Sequence, residues 1–182
     1  LARLSPIARR RSVVLGAVYG VAQILQTAGL AHTAASVSGF VTGLYVVATP
    51  LLAAVLLRTR ITTLTWSAVA VATTGLGVLT LDGLALGYGE ALTLVAAILY
   101  AVHIVALGAW STAADALGMS ITQVLVIAAI CLVATVPDGL VLPGTTRDWL
   151  SVLYMALVAG ALALVAQTWA QAHLAPTRAA VV

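Results

Sequence analysis

The sequence predicts an all-α, polytopic membrane protein with about six transmembrane helices. Apolar residues make up 63% of the chain and charged residues 7%, against roughly 45–50% and about 25% in an ordinary soluble domain. All eight basic residues are arginines, and they lie almost entirely between long apolar stretches. Because open backbone finds no hydrogen-bond partners in lipid, these stretches should be helices. Their length and the lack of strict alternation exclude barrel strands.

The spans can be placed in chain order from charge and length. No charged residue occurs between Ser12 and Leu57, and one helix of that length would be about 69 Å long, roughly twice the hydrocarbon thickness. The chain must therefore fold back, and the small polar stretch 32–38 is the predicted turn. The predicted spans are Ser12–Ala31, Gly39–Leu57, Thr63–Leu81, Glu90–Trp110, Ser120–Val136 and Trp149–Gln171.

Charged and aromatic residues predict the orientation of these spans. If the spans alternate in direction, seven of the eight arginines share one side and only Arg147 lies on the other. The positive-inside rule makes the first side cytoplasmic, so we expect a multi-pass protein of the cell inner membrane. The cytoplasmic arginines are Arg3 to Arg11, Arg58 to Arg60 and Arg178, and the tryptophans near span ends are Trp66, Trp110, Trp149 and Trp169.

Composition and motif content argue against several classes of function. Basic patches with interleaved aromatic residues, which nucleic-acid binding needs, are absent from the sequence. The single cysteine, Cys131, lies in an apolar run without a partner, and no two of the three histidines have metal-ligand spacing. The sequence contains no catalytic motif and no pair of carboxylates inside a span. We therefore expect no enzyme, no cofactor and no metal.

Two stripes of polar residues run along the first two spans. Tyr19, Gln23, Gln26 and Thr27 stand at i, i+4, i+7 and i+8 and so share a helix face. Such groups would lack partners in lipid, so they should point at other helices or at a wet cavity. Hydrogen bonding between helices and contact with a substrate are the two interpretations. The second stripe is Ser38, Thr42, Tyr45 and Thr49.

Further candidate functional residues lie in the fourth and second spans. His103 lies well inside the fourth span with Tyr100 on the same face, and it could couple protons, contact a substrate or pair with a neighbouring helix. Pro50 removes a backbone donor, which predicts a bend or break in the second span and a freed carbonyl at Val46. Small residues at helical spacing predict a tight hairpin of the first two spans: Gly16, Gly20, Gly39 and Gly43.

A segment of the first span returns near the end of the chain. The two copies share Gln, Thr, Ala and His at the same spacing. With five predicted crossings between them, the second copy would enter the bilayer from the opposite side, as in the inverted repeats of secondary transporters. Transport is therefore the leading hypothesis. The copies are Gln26-Thr27-Ala28-Gly29-Leu30-Ala31-His32 and Gln167-Thr168-Trp169-Ala170-Gln171-Ala172-His173.

Longer segments resemble the EamA-type members of the drug/metabolite transporter superfamily. The segments of the first half are Gln26-Thr27-Ala28-Gly29-Leu30, Gly39-Phe40-Val41-Thr42-Gly43-Leu44-Tyr45-Val46-Val47 and Pro50-Leu51-Leu52, with Arg58 after the span. The segments of the second half are Gly89-Glu90, Leu99-Tyr100-Ala101-Val102-His103-Ile104-Val105, Gln167-Thr168-Trp169-Ala170-Gln171 and Ala175-Pro176-Thr177-Arg178-Ala179-Ala180.

The resemblance implies a particular architecture. EamA-type proteins have ten helices in two inverted five-helix repeats, so the present spans look like helices three to eight and the start of nine of a longer protein. Residues 1–84 would then form the C-terminal part of the first repeat, and residues 85–182 the N-terminal part of the second. Within this pattern Gln26, Tyr45 and Gln167 are expected to face the cavity.

The expected function is secondary transport of small organic metabolites or drugs by alternating access. The lipid bilayer and a small-molecule substrate would be the partners, with proton coupling, exchange and a homodimer left open. The alternative is a non-transporting membrane scaffold or sensor. The predicted cavity residues are Tyr19, Gln23, Gln26, Thr42, Tyr45, Tyr100, His103, Gln167 and Gln171, with a helix break at Pro50.

Overall fold

A computed structural model describes residues 4–58, 62–81, 87–137, 139 and 142–174, and all regular structure within them is helical. The all-α class is therefore confirmed for these residues. Arg3, Arg60, Arg178 and the predicted boundary between residues 84 and 85 lie outside them. The helices are α1 (Pro6–Leu30), α2 (Ala35–Gly43), α3 (Tyr45–Leu57), α4 (Thr63–Leu81), α5 (Tyr88–Trp110), α6 (Ala116–Ala134), α7 (Thr146–Tyr154), a π-helical segment (Met155–Leu162) and α8 (Ala163–Gln171).

Five of the predicted spans coincide with described helices that are long and apolar enough to cross a bilayer. These are α1, α2 together with α3, α5, α6, and the continuous run from α7 to α8. The third predicted span corresponds to α4. Helix α4 is not one of the five helices above, so a sixth crossing stays a prediction.

Burial in this chain follows the pattern of a protein that faces lipid. Thr93, His103 and Gln123 are fully buried polar side chains, whereas the large apolar side chains of Val55 and Leu117 are exposed. In water, the exposed apolar surface and the buried polar groups would each cost free energy. A bilayer removes the cost of the exposed apolar surface, and hydrogen bonds inside the bundle offset the cost of the buried polar groups.

Helix α1 begins at Pro6 rather than at the predicted Ser12, because local capping decides where a helix starts. The Ala8 N–H donates to the Ser5 hydroxyl at 3.1 Å, and Pro6 occupies the first helical position, where its missing N–H costs nothing. The start predicted at Ser12 is the first residue of the apolar run, where the hydrocarbon layer of a bilayer would begin. The arginines before that boundary continue the same helix into the polar layer.

Contacts at the two ends of α1 fix its direction relative to α5. The Arg11 guanidinium lies 5.5 Å from the centre of the Trp110 ring, at the last residue of α5. Just past the other end of α1, the Thr33 hydroxyl donates to the Glu90 carboxylate in the first turn of α5. The two helices are therefore antiparallel, and the α5–α6 connection lies at the same end of the bundle as Arg11.

Gly16 and Gly20 of α1 pack against α6, so the prediction that they pack in a tight hairpin with the second span is wrong. A Cβ added to Gly16 would lie 2.9 Å from the Cβ of Val126, and one added to Gly20 would lie 3.2 Å from Ile130. These contacts advance in the same direction along both helices, so α1 and α6 are parallel. A Cβ would meet no heavy atom of the described chain within 4 Å at Gly39 or Gly43.

The second span is interrupted at Leu44, not at Pro50 as predicted. Leu44 separates α2 from α3, and its N–H donates to the Val41 carbonyl three residues back, at 3.2 Å. Helix α3 continues from Tyr45 to Leu57 through a buried Pro50. Proline withholds one hydrogen bond but can keep helical dihedrals, because its fixed φ is compatible with a helix.

Candidate functional site

A cavity of about 760 Å³ lies between α1, α2, α3, α5 and α8. Its volume falls within the range of about 300–1,000 Å³ that small-molecule sites occupy. Helix α1 supplies one polar residue per turn to it, and α8 supplies mostly alanines, which leave room. The lining residues are Tyr19, Gln23, Gln26, Thr42, Tyr45, Val46, Tyr100, His103, Ile104, Ala163, Ala166, Gln167 and Ala170.

The structure brings eight of the nine predicted cavity residues to this one space. They are Tyr19, Gln23, Gln26, Thr42, Tyr45, Tyr100, His103 and Gln167. The ninth, Gln171, does not line it. Gln171 is 3% exposed and lies with Leu164 and Thr168 on the buried face of α8, and neither atom of its amide has a hydrogen-bond partner among the described residues. Pro50 is buried in α3 and is not part of the lining either.

A hydrogen-bond network crosses one wall of the cavity and joins three helices. The Tyr100 hydroxyl on α5 lies 2.8 Å from Gln26 Oε1 and 3.0 Å from Gln23 Oε1, both on α1. Gln26 Nε2 in turn donates to the Thr42 hydroxyl on α2 at 3.0 Å. The Gln26 amide is therefore used at both ends and fixes the relative positions of α1, α2 and α5.

Aromatic rings pack edge to face beside this network. The Tyr19 ring centre lies 5.0 Å from that of Tyr100 with the planes at 64°, and 5.2 Å from that of His103 with the planes at 76°. These separations and angles are in the favourable range for aromatic pairs. The three rings together form a rigid wall with both apolar faces and polar edges.

The His103 ring is hydrogen-bonded to Gln123, a residue that the sequence pattern did not indicate. The His103 Nε2 lies 2.8 Å from Gln123 Oε1 on α6, while Gln123 Nε2 donates to the Met119 carbonyl at 3.2 Å. Because the Gln123 oxygen faces the ring, His103 Nε2 is the donor, and the other ring nitrogen carries the lone pair. A single amide near the start of the fifth predicted span was the available signal.

The cavity wall carries no formal charge in the part of the chain that the structure describes. No Asp, Glu, Arg or Lys belongs to the lining, and no three His, Cys, Asp or Glu side chains of the described residues come together as a metal site. The described charged contacts lie at the ends of the helices, as with Glu90 and Arg11. The site can therefore bind through hydrogen bonds and aromatic contact.

Comparison with known proteins adds no match. No protein-family model, no curated protein and no solved structure matches this chain. A function for this chain is therefore argued from the residues and the geometry of the cavity.

Proposed function

We propose that this chain is the membrane domain, or part of the membrane domain, of a secondary transporter that moves small organic metabolites or drugs by alternating access. The observation that carries the proposal is the cavity of about 760 Å³ that lies between apolar helices and is lined in part by polar side chains. Polar groups at membrane depth are costly unless they serve a pathway or pair with one another, and eight side chains with polar groups line this cavity.

The proposal includes an EamA-type architecture with inverted repeats. What supports it is the resemblance of the quoted segments, together with the position of Gln26 and Gln167, the first residues of the two similar segments, in the lining of one cavity. Binding sites between inverted repeats have this property, because each repeat contributes the equivalent helix. The cell inner membrane as location, and the cytoplasm as the side of Arg9 to Arg11, belong to the same proposal.

His103 is the proposed proton site if transport is coupled to a pH gradient. It borders the cavity with one ring nitrogen bonded to Gln123, so the second nitrogen is the one left to take up a proton. Exchange of one solute for another is the competing mode of coupling. His103→Ala in the intact protein separates them, because loss of the pH dependence of flux supports protons and an unchanged dependence rejects this residue as the site.

Flux into liposomes tests the transport proposal. The intact protein is reconstituted and offered a broad panel of labelled metabolites, with and without a pH gradient. We expect saturable uptake of at least one solute, reduced by Gln26→Leu and unchanged by Thr27→Ala, whose exposed hydroxyl bonds only to its own helix. Uptake of no solute under either condition would contradict the proposal and favour a scaffold or sensor.

A further inference from the structure

Gln23 and Gln26 lie one turn apart on α1 but have different surroundings. The Gln26 amide accepts from Tyr100 at 2.8 Å and donates to Thr42 at 3.0 Å. Both of its ends are therefore occupied by neighbouring helices. Gln26 acts as a positioning residue, which fixes the Tyr100 hydroxyl and the width of the cavity.

Gln23 is held more loosely. Its Oε1 lies 3.0 Å from the Tyr100 hydroxyl, but that hydroxyl has one proton and Gln26 is the nearer acceptor. No group of the described residues accepts from Gln23 Nε2, and the side chain faces the cavity. An amide oxygen has two lone pairs, so Gln23 Oε1 can still accept beside its Tyr100 contact, and the Nε2 donor lies next to it in the same plane.

A hydrogen-bond donor and acceptor that lie side by side in one plane select a ligand group whose acceptor and donor lie side by side in the complementary order. Two parallel hydrogen bonds then form, as when Gln reads the edge of adenine in DNA. A carboxylate offers no donor to the amide oxygen, and an ammonium or amidinium offers no acceptor to the amide nitrogen. Only a group with both leaves no polar atom of Gln23 unpaired, and an unpaired buried polar atom is costly.

We infer that this cavity binds uncharged ligands that carry a carboxamide or lactam edge, and that Gln23 is the residue that recognises that edge. The inference rests on the proposed transport function and extends it by naming the chemical class of the ligand. It also assigns different roles to two neighbouring glutamines that the sequence treats alike.

The remaining lining fits an uncharged, partly aromatic ligand. An ion that entered would lose its hydration without gaining a countercharge, because the described lining has no Asp, Glu, Arg or Lys. The rings of Tyr19, Tyr45 and Tyr100 offer apolar faces to the rest of the ligand. Recognition by Gln23 would therefore set the orientation, and ring contact would supply most of the buried area.

Three probes with the same phenyl ring test the inference. Benzamide, benzoate and benzamidine are respectively neutral, anionic and cationic at neutral pH, and equilibrium binding of each labelled probe to the intact protein in nanodiscs is measured. We expect benzamide to bind about tenfold more tightly than either ion. We expect Gln23→Leu to remove that preference, since leucine neither donates nor accepts.

A change of preference is the sharper test. Gln23→Glu replaces the amide by two acceptors, so benzamidine should now bind about tenfold more tightly than benzamide. Thr27→Glu puts the same carboxylate one turn further along α1 and outside the lining, and it should keep the preference for benzamide. Equal binding of the three probes to the unchanged protein, or an unaltered preference in Gln23→Glu, would overturn the inference.

Binding and flux separate this inference from the transport proposal. Benzamide binding that depends on Gln23, in a protein that moves no solute, would keep the inference and remove transport. Flux of solutes without any preference for an amide edge would keep transport and remove the inference.

Discussion

At the scale of single residues, polar side chains in this protein lie inside the bundle and connect its helices. The helical spacing predicted a shared face for Tyr19, Gln23, Gln26 and Thr27. The structure places the first three in one cavity, whereas Thr27 is exposed outside the lining. The partners could not be predicted in the same way. The bond from Tyr100 to Gln26 depends on how α5 is rotated against α1, and no local pattern in the sequence records that rotation.

Gln26→Leu tests the network at this scale. It removes the bond from Tyr100 and the bond to Thr42, so we expect a loss of about 1–3 kcal/mol in the free energy of unfolding. Reversible unfolding in mixed detergent and SDS micelles measures it. Thr27→Ala, which removes only a bond within α1, should change the free energy by less than about 0.5 kcal/mol. Equal effects of the two variants would mean that the network does not hold the helices together.

The buried pair of His103 and Gln123 makes a second prediction. Gln123→Leu leaves the His103 N–H without its acceptor, and we expect a loss of about 1–3 kcal/mol. His103→Phe combined with Gln123→Leu should recover most of it, because two apolar groups leave nothing unpaired. Double-mutant unfolding measurements give the coupling, and strictly additive losses would contradict the pairing. Gln123 belongs to no stripe of polar residues and is a single amide in an apolar span, so the sequence pattern did not indicate it.

At the scale of helices, the amino-acid composition predicted the spans, and local chemistry decided their ends. The apolar runs of α1, α5 and α6 were evident from the sequence, but the start of α1 depends on the Ser5 cap. The interruption at Leu44 and the π-helical segment Met155–Leu162 were not predicted. Gly43 precedes the first and Gly160 lies within the second. A single glycine does not specify such an irregularity, because packing against neighbouring helices determines where it occurs.

The glycines give a prediction at the same scale. Gly16→Ala should lower the free energy of unfolding by about 1–3 kcal/mol, because the new methyl group would meet Val126 at 2.9 Å and the Gln123 backbone. Gly39→Ala introduces the same methyl group where the described chain has no atom within 4 Å, and it should be neutral or stabilising by up to about 1 kcal/mol. Unfolding of both variants in one detergent measures the difference, and the reverse order would contradict the α1–α6 contact.

At the scale of the whole molecule, antiparallel α1 and α5 and parallel α1 and α6 agree with spans that alternate in direction. The sequence places seven of the eight arginines on one side on the premise of this alternation. It could not predict that the glycines of α1 contact α6, since contacts between distant segments depend on the order of helices around the bundle. The inverted repeat stays a prediction from the two similar segments.

The direction of the helices predicts which connections share a side of the membrane. The α5–α6 connection lies at the end of Arg11, and the turn after α1 lies at the end of Glu90. Ala113→Cys and Ala34→Cys, each in a Cys131→Ser background, should therefore be labelled from opposite sides of sealed vesicles, with Ala113→Cys on the cytoplasmic side. Labelling of both cysteines from one side would contradict the alternating direction of the helices.

The central claim is that these polar residues line a binding cavity, and access of water to them tests it most directly. A binding site must admit water, whereas a helix-packing surface excludes water. Gln23→Cys and Tyr45→Cys in the Cys131→Ser background are treated with a membrane-impermeant thiol reagent, with Val21→Cys on the lipid-exposed face of α1 as the control. The account predicts rapid labelling at Gln23→Cys and Tyr45→Cys, slowed by any ligand that binds, and none at Val21→Cys. Absence of labelling at both cavity positions in a folded protein would contradict it.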